Sequence, residues 1–113
     1  MQHIQGEERN QLQIFCLEQV IEADSFVRVI DFFVDSIDLA SFGFKHVTFK
    51  EEGRPPYHPA VLLKLYFYGY RYGIRSSRKL EREAKLNLEV RWLLCEQTPS
   101  ARTICMFRKE YAD

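Results

Sequence analysis

The run of apolar and polar positions divides the chain into a weakly patterned lead, two strongly apolar stretches and three short amphipathic ones. In "NQLQIFCLEQVI" (10–21), Leu12, Ile14 and Cys16 alternate with polar residues before the pattern breaks. The lead therefore reads as a short extended segment or a weak helix. Asp24 or Ser25 makes a good N-cap for the following run, "FVRVIDFFVDSIDLASF". There Asp24, Arg28, Asp31, Asp35 and Asp38 recur at spacings of 4, 3, 4 and 3, which puts them on one helical face. Phe26, Val27, Val29, Ile30, Phe33, Val34 and Ile37 cover the rest. A helix over 25–38 with this much apolar surface is predicted to be largely buried, its aspartates forming a solvated acidic face. Gly43 ends it or a short continuation of it.

"KHVTFKEEGRPPYHP" (45–59) is a charged loop, and Pro55–Pro56 favours an extended path through it. Pro59 suits the first turn of a helix that runs to about Tyr72, with Gly73 as its stop. On that helix Val61, Leu62, Leu65, Tyr66, Gly69 and Tyr72 form a predicted buried stripe. A mid-helix glycine is unfavourable by about 1 kcal/mol against alanine, so Gly69 implies another helix crossing close by. Lys64, Tyr68, Arg71 and Arg75 are predicted to share the outer face, with Tyr68 the tyrosine most suited to meeting a ligand. Ser76 or Ser77 caps a helix over "RKLEREAKL", Asn87 interrupts before "LEVRWLL", "EQTPS" turns, and Ser100 caps a last helix, "ARTICMFRKEY" (101–111). No strand, hairpin or repeat pattern is present. The fold class is all-α, a small bundle of roughly five helices with a helix-turn-helix-like C-terminal half.

A length of 113 residues fits a single domain, with residues 1–24 a partly irregular lead. The net charge of zero hides a split: residues 1–53 carry four cations against ten acids, and residues 54–113 twelve cations against six acids. Such asymmetry points to a polyanion partner or to the two halves docking on each other. Cys16, Cys95 and Cys105 are sparse, with no C-x-x-C spacing, and Met1–Asn10 is too polar for a secretory signal. They read as reduced, partly buried thiols of a cytoplasmic protein rather than as ligands of a metal shared with His3, His46 or His58. No apolar run reaches the length of a membrane span.

The basic half carries the candidate chemistry. Arg75, Arg78, Arg82 and Lys85 follow at spacings of 3, 4 and 3, most of them projecting from one side of the helix over 77–86. Glu81–Lys85 is a supporting i,i+4 pair. Such stripes are commonly plain solvated faces. The excess of arginine over lysine favours phosphate binding, because the guanidinium fork matches phosphate oxygens. In the last helix Ile104, Phe107 and Tyr111 point one way and Arg102, Thr103, Met106 and Lys109 the other, with Arg108 at the border. An apolar back and an Arg/Thr/Lys front suit a helix that reads base edges, its N-terminal amides and nearby cations holding phosphates. Two other patterns carry less. Asp31, Asp35 and Asp38 lie on one face of one helix, with no second ligand set for a metal. "GRP" at 53–55 matches the core of a minor-groove hook, but Glu52 stands where such hooks carry a cation. There is no glycine-rich phosphate loop and no Ser–His–Asp set.

"GRPPYHPAVLLKLYFYGYRYGIRSSRKLERE", then "NLEVRWLL", then a turn before "TICMFRKE", resembles bacterial insertion-sequence DDE transposases, specifically their N-terminal helical (InsH-type) domain. "FVRVIDFFVDSIDLASFGF" is similar to that family's opening segment, so the likeness spans about residues 10–112. The resemblance implies binding of double-stranded DNA at the terminal inverted repeats of a mobile element, in the bacterial cytoplasm near the nucleoid. It implies that three acids holding two divalent metals belong to a separate ribonuclease-H-like domain, expected to be absent here. This chain is then expected to be catalytically silent, with no catalytic residue and no cofactor of its own. Arg71, Arg75, Arg78, Arg82, Lys85, Arg108 and Lys109 would hold phosphates, and Arg102 and Thr103 would meet bases. Such domains usually read Pro-Asp-His before "TI", whereas this chain has Pro99-Ser100-Ala101-Arg102. The alternative reading is an assembly module, a homodimer that arranges two transposon ends without reading sequence. A small metal-dependent nuclease is a poor third.

Overall fold

A computed structural model describes residues 3–37 and 57–111, with side chains as far as Lys109. Asp38, the Gly43 stop and the loop through Pro56, "GRP" included, lie outside the described residues. All regular structure among the described residues is helical: α1 (Leu17–Val20), α2 (Phe26–Asp35), α3 (Pro59–Tyr72), α4 (Ser77–Leu86), α5 (Leu88–Leu93) and α6 (Ala101–Tyr111). The all-α expectation holds. The helix beyond the expected five is α1, a single turn that follows an irregular lead, so the helical reading of residues 10–21 holds only for Leu17–Val20.

The helix boundaries follow from local chemistry. Pro59 occupies the first turn of α3, and His58 Nδ1 accepts from the Ala60 amide at 3.1 Å. Gly73, at φ +72°, ends α3 in the left-handed conformation that favours glycine. Ser76 Oγ accepts from the Lys79 amide and caps α4. Asn87 both ends α4 and starts α5: its side-chain oxygen accepts from the Glu89 and Val90 amides at 2.8 and 3.4 Å. Its amide nitrogen donates to Tyr68 Oη and Glu83 Oε1. Beyond α5, Cys95 and Glu96 take positive φ values of 52° and 67°. Arg91 holds that turn through two bonds to the Glu96 carboxylate, at 2.7 and 2.8 Å.

The short helix α5 is the hub. It packs against α1, α2, α3 and α4, and α4 in turn carries α6. Val27, Ile30 and Val34 of α2, Leu62 and Leu65 of α3, Leu80 and Ala84 of α4, Val90 and Leu93 of α5, and Ile104 and Phe107 of α6 form one buried core. The stripe on α3 is rotated from expectation. Leu63 and Tyr68 are inside, while Tyr66 and Tyr72 stay partly in solvent. Gly69 is crowded, but chiefly by the turn that follows α3 and not by a crossing helix: a Cβ there would stand 2.7 Å from the Ile74 carbonyl oxygen, with a Leu80 methyl of α4 reaching in at 3.2 Å.

Three expectations are overturned. The first concerns α2, which is not largely buried: Val29, Phe32 and Phe33 are more than half exposed, Phe32 at 78%. One side of α2 meets α3 and α5, and the described residues supply no cover for the other. The second is the acidic face of α2, which is not simply solvated. Asp31 and Asp35 both pair with Lys64 Nζ, at 2.7 and 3.0 Å, and Arg28 turns back to Glu18 at 2.8 Å. The third is the cysteines: all three are exposed and free, because none falls on the core side of its segment.

The acidic front half docks on the basic half through a few specific contacts. Ser25 leads into α2 with its backbone, while its hydroxyl donates to Glu89 of α5. Trp92 Nε1 donates to Glu18 Oε1 at 2.9 Å, and the Arg28 guanidinium stacks over the Trp92 ring at 4.8 Å. Donation from Trp92, then from Arg28, lowers the Glu18 pKa below its ordinary 4.5. A depressed carboxylate contributes stability that is complete above its unfolded pKa and lost as the pH falls through the folded value. Acidification from about pH 5 downward is therefore expected to release α1 from α5 and change the emission of Trp92, the sole tryptophan. In Glu18→Gln the emission should lack this transition. An unchanged acid transition in that variant would dismiss the Glu18–Trp92 bond as its origin.

Candidate nucleic-acid interface

Most of the candidate residues sit on α4 and α6, which are fixed to each other; Arg71 lies in the last turn of α3 and Arg75 in the turn before α4. Leu80 and Ala84 turn inward from α4, and Ile104 and Phe107 turn inward from α6. The outer side of α4 then carries Arg78, Lys79, Arg82 and Lys85, which line one open groove with Leu86 and Glu81. Lys79 was absent from the expected stripe, although it follows Arg75 at i+4 and could have been read from that spacing. Glu81 binds in two directions: it accepts from Lys85 Nζ at 3.0 Å and from the Ala101 amide at 3.1 Å. Lys85, then the Ala101 amide, lower its pKa. A side chain of α4 thus fixes the start of α6, a contact across twenty residues that no local pattern announces.

At the other end, Arg108 donates to the Arg75 carbonyl, which ties α6 to the turn before α4. Arg102 and Lys109 are exposed. Among the described residues no carboxylate pairs with Arg75, Arg78, Lys79, Arg82, Arg102 or Lys109. The front-half acids Asp31 and Asp35 are occupied by Lys64 instead, and Glu18 by Arg28 and Trp92. Lys85 keeps its i,i+4 pair with Glu81 on the surface, where such a pair contributes little to stability. Arg71 is exposed but lies over the Phe26 and Tyr72 rings at 5.1 and 5.4 Å, so the structure sets it against α2, apart from the α4 groove.

Thr103, expected on the front of the last helix, is 6% exposed. Its hydroxyl lies 3.0 Å from Ser100 Oγ, which also accepts its amide at 3.2 Å. This cap, and packing beside Ile104, draw it inside. The helix N-terminal amides are also largely engaged: Ala101 with Glu81, Thr103 with the Ser100 hydroxyl and Ile104 with the Ser100 carbonyl. Phosphates at this end would meet side chains more than backbone. Lys64 and Tyr68 likewise depart from the outer face predicted for them. Lys64 is drawn to Asp31 and Asp35. Tyr68, 5% exposed, bonds Glu83 at 3.3 Å, and burial together with that carboxylate pushes its phenol pKa up.

No group of three His, Cys, Asp or Glu among the described residues is placed to hold a metal ion, and no helix among them is long and apolar enough to cross a membrane. Residues 15–110 match the family model described as Transposase domain (DUF772). No curated protein and no solved structure matches the chain.

Proposed function

The chain belongs to this transposase-domain family, and from that premise we propose that it is the DNA-binding domain of a bacterial insertion-sequence DDE transposase of the InsH type, recognising the element's terminal inverted repeats. One observation carries the reading. Arg78, Lys79 and Arg82 of α4 and Arg102 and Lys109 of α6 face solvent with no ion-pair partner among the described residues, while Glu18, Asp31 and Asp35 of the front half are engaged elsewhere. Arg75, Arg78, Arg82, Lys85 and Lys109 hold backbone phosphates, with Lys79 beside them and Arg108 fixing the turn at Arg75. Arg102, exposed at the start of α6, reads bases in the manner of a helix-turn-helix. Cutting and joining of DNA fall to a ribonuclease-H-like domain of the parent transposase, where divalent metals would sit.

Selection from a pool of random-sequence duplexes, followed by gel-shift titration, tests this. Arg82→Gln is expected to weaken all duplexes alike, because a phosphate contact carries no sequence information. Arg102→Gln is expected to flatten the preference, since a good bidentate base contact contributes about 1–3 kcal/mol of discrimination. The opposite pattern would reverse the two roles.

A second reading, an assembly module, draws on the exposed Val29, Phe32 and Phe33 of α2. Exposed aromatic faces of this kind suit a twofold contact between copies. Sedimentation with and without duplex separates the two: a dimer that binds no duplex would favour assembly alone.

A further inference from the structure

The α3–α6 junction forms a second groove, separate from the one along α4. Its walls are Tyr66 and Tyr70, one helical turn apart on α3, together with Arg75 and Arg108; Gly69 and Gly73 lie between them. Its volume of about 430 Å³ falls within the range of small-ligand pockets, about 300–1,000 Å³.

Each wall has a chemical reason to meet a ligand. Tyr70 is 83% exposed. Tyr66 is partly exposed, and the Arg108 guanidinium stands 6.0 Å from its ring centre. Gly73 leaves α3 at positive φ and turns the chain back, which brings Arg75 to the rim. The bond from Arg108 to the Arg75 carbonyl then keeps the second guanidinium at the groove. The two glycines supply no side chain to fill it. No carboxylate of the described residues lines it. Two aromatic faces beside two guanidinium groups, with no opposing acid among the described residues, suit a ligand that is planar at one end and anionic at the other.

We infer that this groove takes one unpaired nucleotide of a DNA strand that runs off the duplex, its base against Tyr70 and Tyr66 and its phosphate on Arg75 and Arg108. The inference rests on the DNA-binding reading, since the α4 groove would hold the adjoining duplex. A stacked base needs an aromatic face and not a hydroxyl, and the interaction tolerates any base. The site should therefore prefer single-stranded extensions without regard to their sequence.

Fluorescence anisotropy on the 113-residue chain tests this with four probes: a blunt duplex, the same duplex with a short single-stranded thymidine extension, free oligothymidine, and thymidine monophosphate as competitor. The extension is expected to tighten binding about tenfold, the scale of one base stacked on an aromatic ring. Tyr70→Ala should abolish that gain and leave blunt-duplex binding unchanged, and Tyr70→Phe should keep it. No gain in the wild-type chain, or a gain that survives both Tyr70→Ala and Tyr66→Ala, overturns the inference. So does thymidine monophosphate competing as well as oligothymidine, because the groove would then serve a free nucleotide. Should the chain bind no blunt duplex, the duplex reading fails by itself and free oligothymidine decides the groove. Binding that Tyr70→Ala weakens about tenfold upholds it, and absence of binding ends it.

Discussion

Raising monovalent salt from about 50 to about 200 mM is expected to weaken the binding of any duplex by roughly five-hundred-fold. Each phosphate neutralised by a cation releases counterions, and the logarithm of affinity falls with log[salt] at a slope of about −0.9 per phosphate. On the proposed reading Arg75, Arg78, Lys79, Arg82 and Lys109, none in an ion pair among the described residues, supply five such contacts, hence a slope near −4.5. Only cations that are free in the unbound protein contribute fully, because one already neutralised by a carboxylate would exchange partners. The contrast lies with Lys64, which is held between Asp31 and Asp35. Lys64→Gln should leave the slope unchanged, whereas Arg82→Gln should reduce it by about 0.9. A flat salt dependence, or an equal loss in both variants, would mean that the α4 surface does not grip a phosphate backbone.

The contrast between Lys64 and Arg82 also shows what a linear sequence reveals of a site. Helical spacing placed Arg78, Arg82 and Lys85 on one side of α4, because a short amphipathic helix with Leu80 and Ala84 inside leaves them no other position. Caps were equally legible: Pro59, Gly73, Ser76, Asn87 and Ser100 each act within four residues of themselves, where chemistry is local. Lys64 and Tyr68 obeyed the same spacing and still turned inward, since their surroundings are set by residues far along the chain. Asp31 and Asp35 of α2 draw in the lysine, and Glu83 and Asn87 bond the tyrosine. Thr103, expected on the front of its helix, is drawn inside by its bonds to the Ser100 cap and by packing beside Ile104. The Glu81–Ala101 bond had no local signal, because it joins two helices whose packing is a property of the whole core.

The apolar surface of α2 teaches the converse. Its composition predicted burial, and Val27, Ile30 and Val34 are indeed fully inside. The helix is apolar nearly all round, however, and α3 and α5 together cover only part of its circumference. Periodicity says which residues want cover and cannot say how many neighbours exist to provide it.

Gly69→Ala is expected to destabilise the domain by about 2 kcal/mol, even though alanine is the better helix former by about 1 kcal/mol. The new methyl would lie 2.7 Å from the Ile74 carbonyl oxygen, closer than real contacts allow, and 3.2 Å from a Leu80 methyl. Leu80 can adjust by a rotamer, but Ile74 cannot retreat freely, because its amide donates to the Gly69 carbonyl at 2.8 Å. Relief must come from moving the turn over 74–76, which carries Arg75 and the Ser76 cap of α4. At about 4–8 °C per kcal/mol for a domain of this size, thermal melting should fall by roughly 10 °C. Gly73→Ala separates crowding from backbone conformation. A Cβ at Gly73 meets nothing within 4 Å, yet φ is +72°, so only the left-handed penalty of about 1–2 kcal/mol applies. The two variants should also differ in function at temperatures where both are folded. Gly69→Ala displaces Arg75 and the α3–α6 groove and should weaken binding of a DNA extension, whereas Gly73→Ala alters only the local turn. If Gly69→Ala melts at or above the wild-type temperature, the turn after α3 does not approach Gly69 as closely as described, and the placement of Arg75 beside Arg108 loses its foundation.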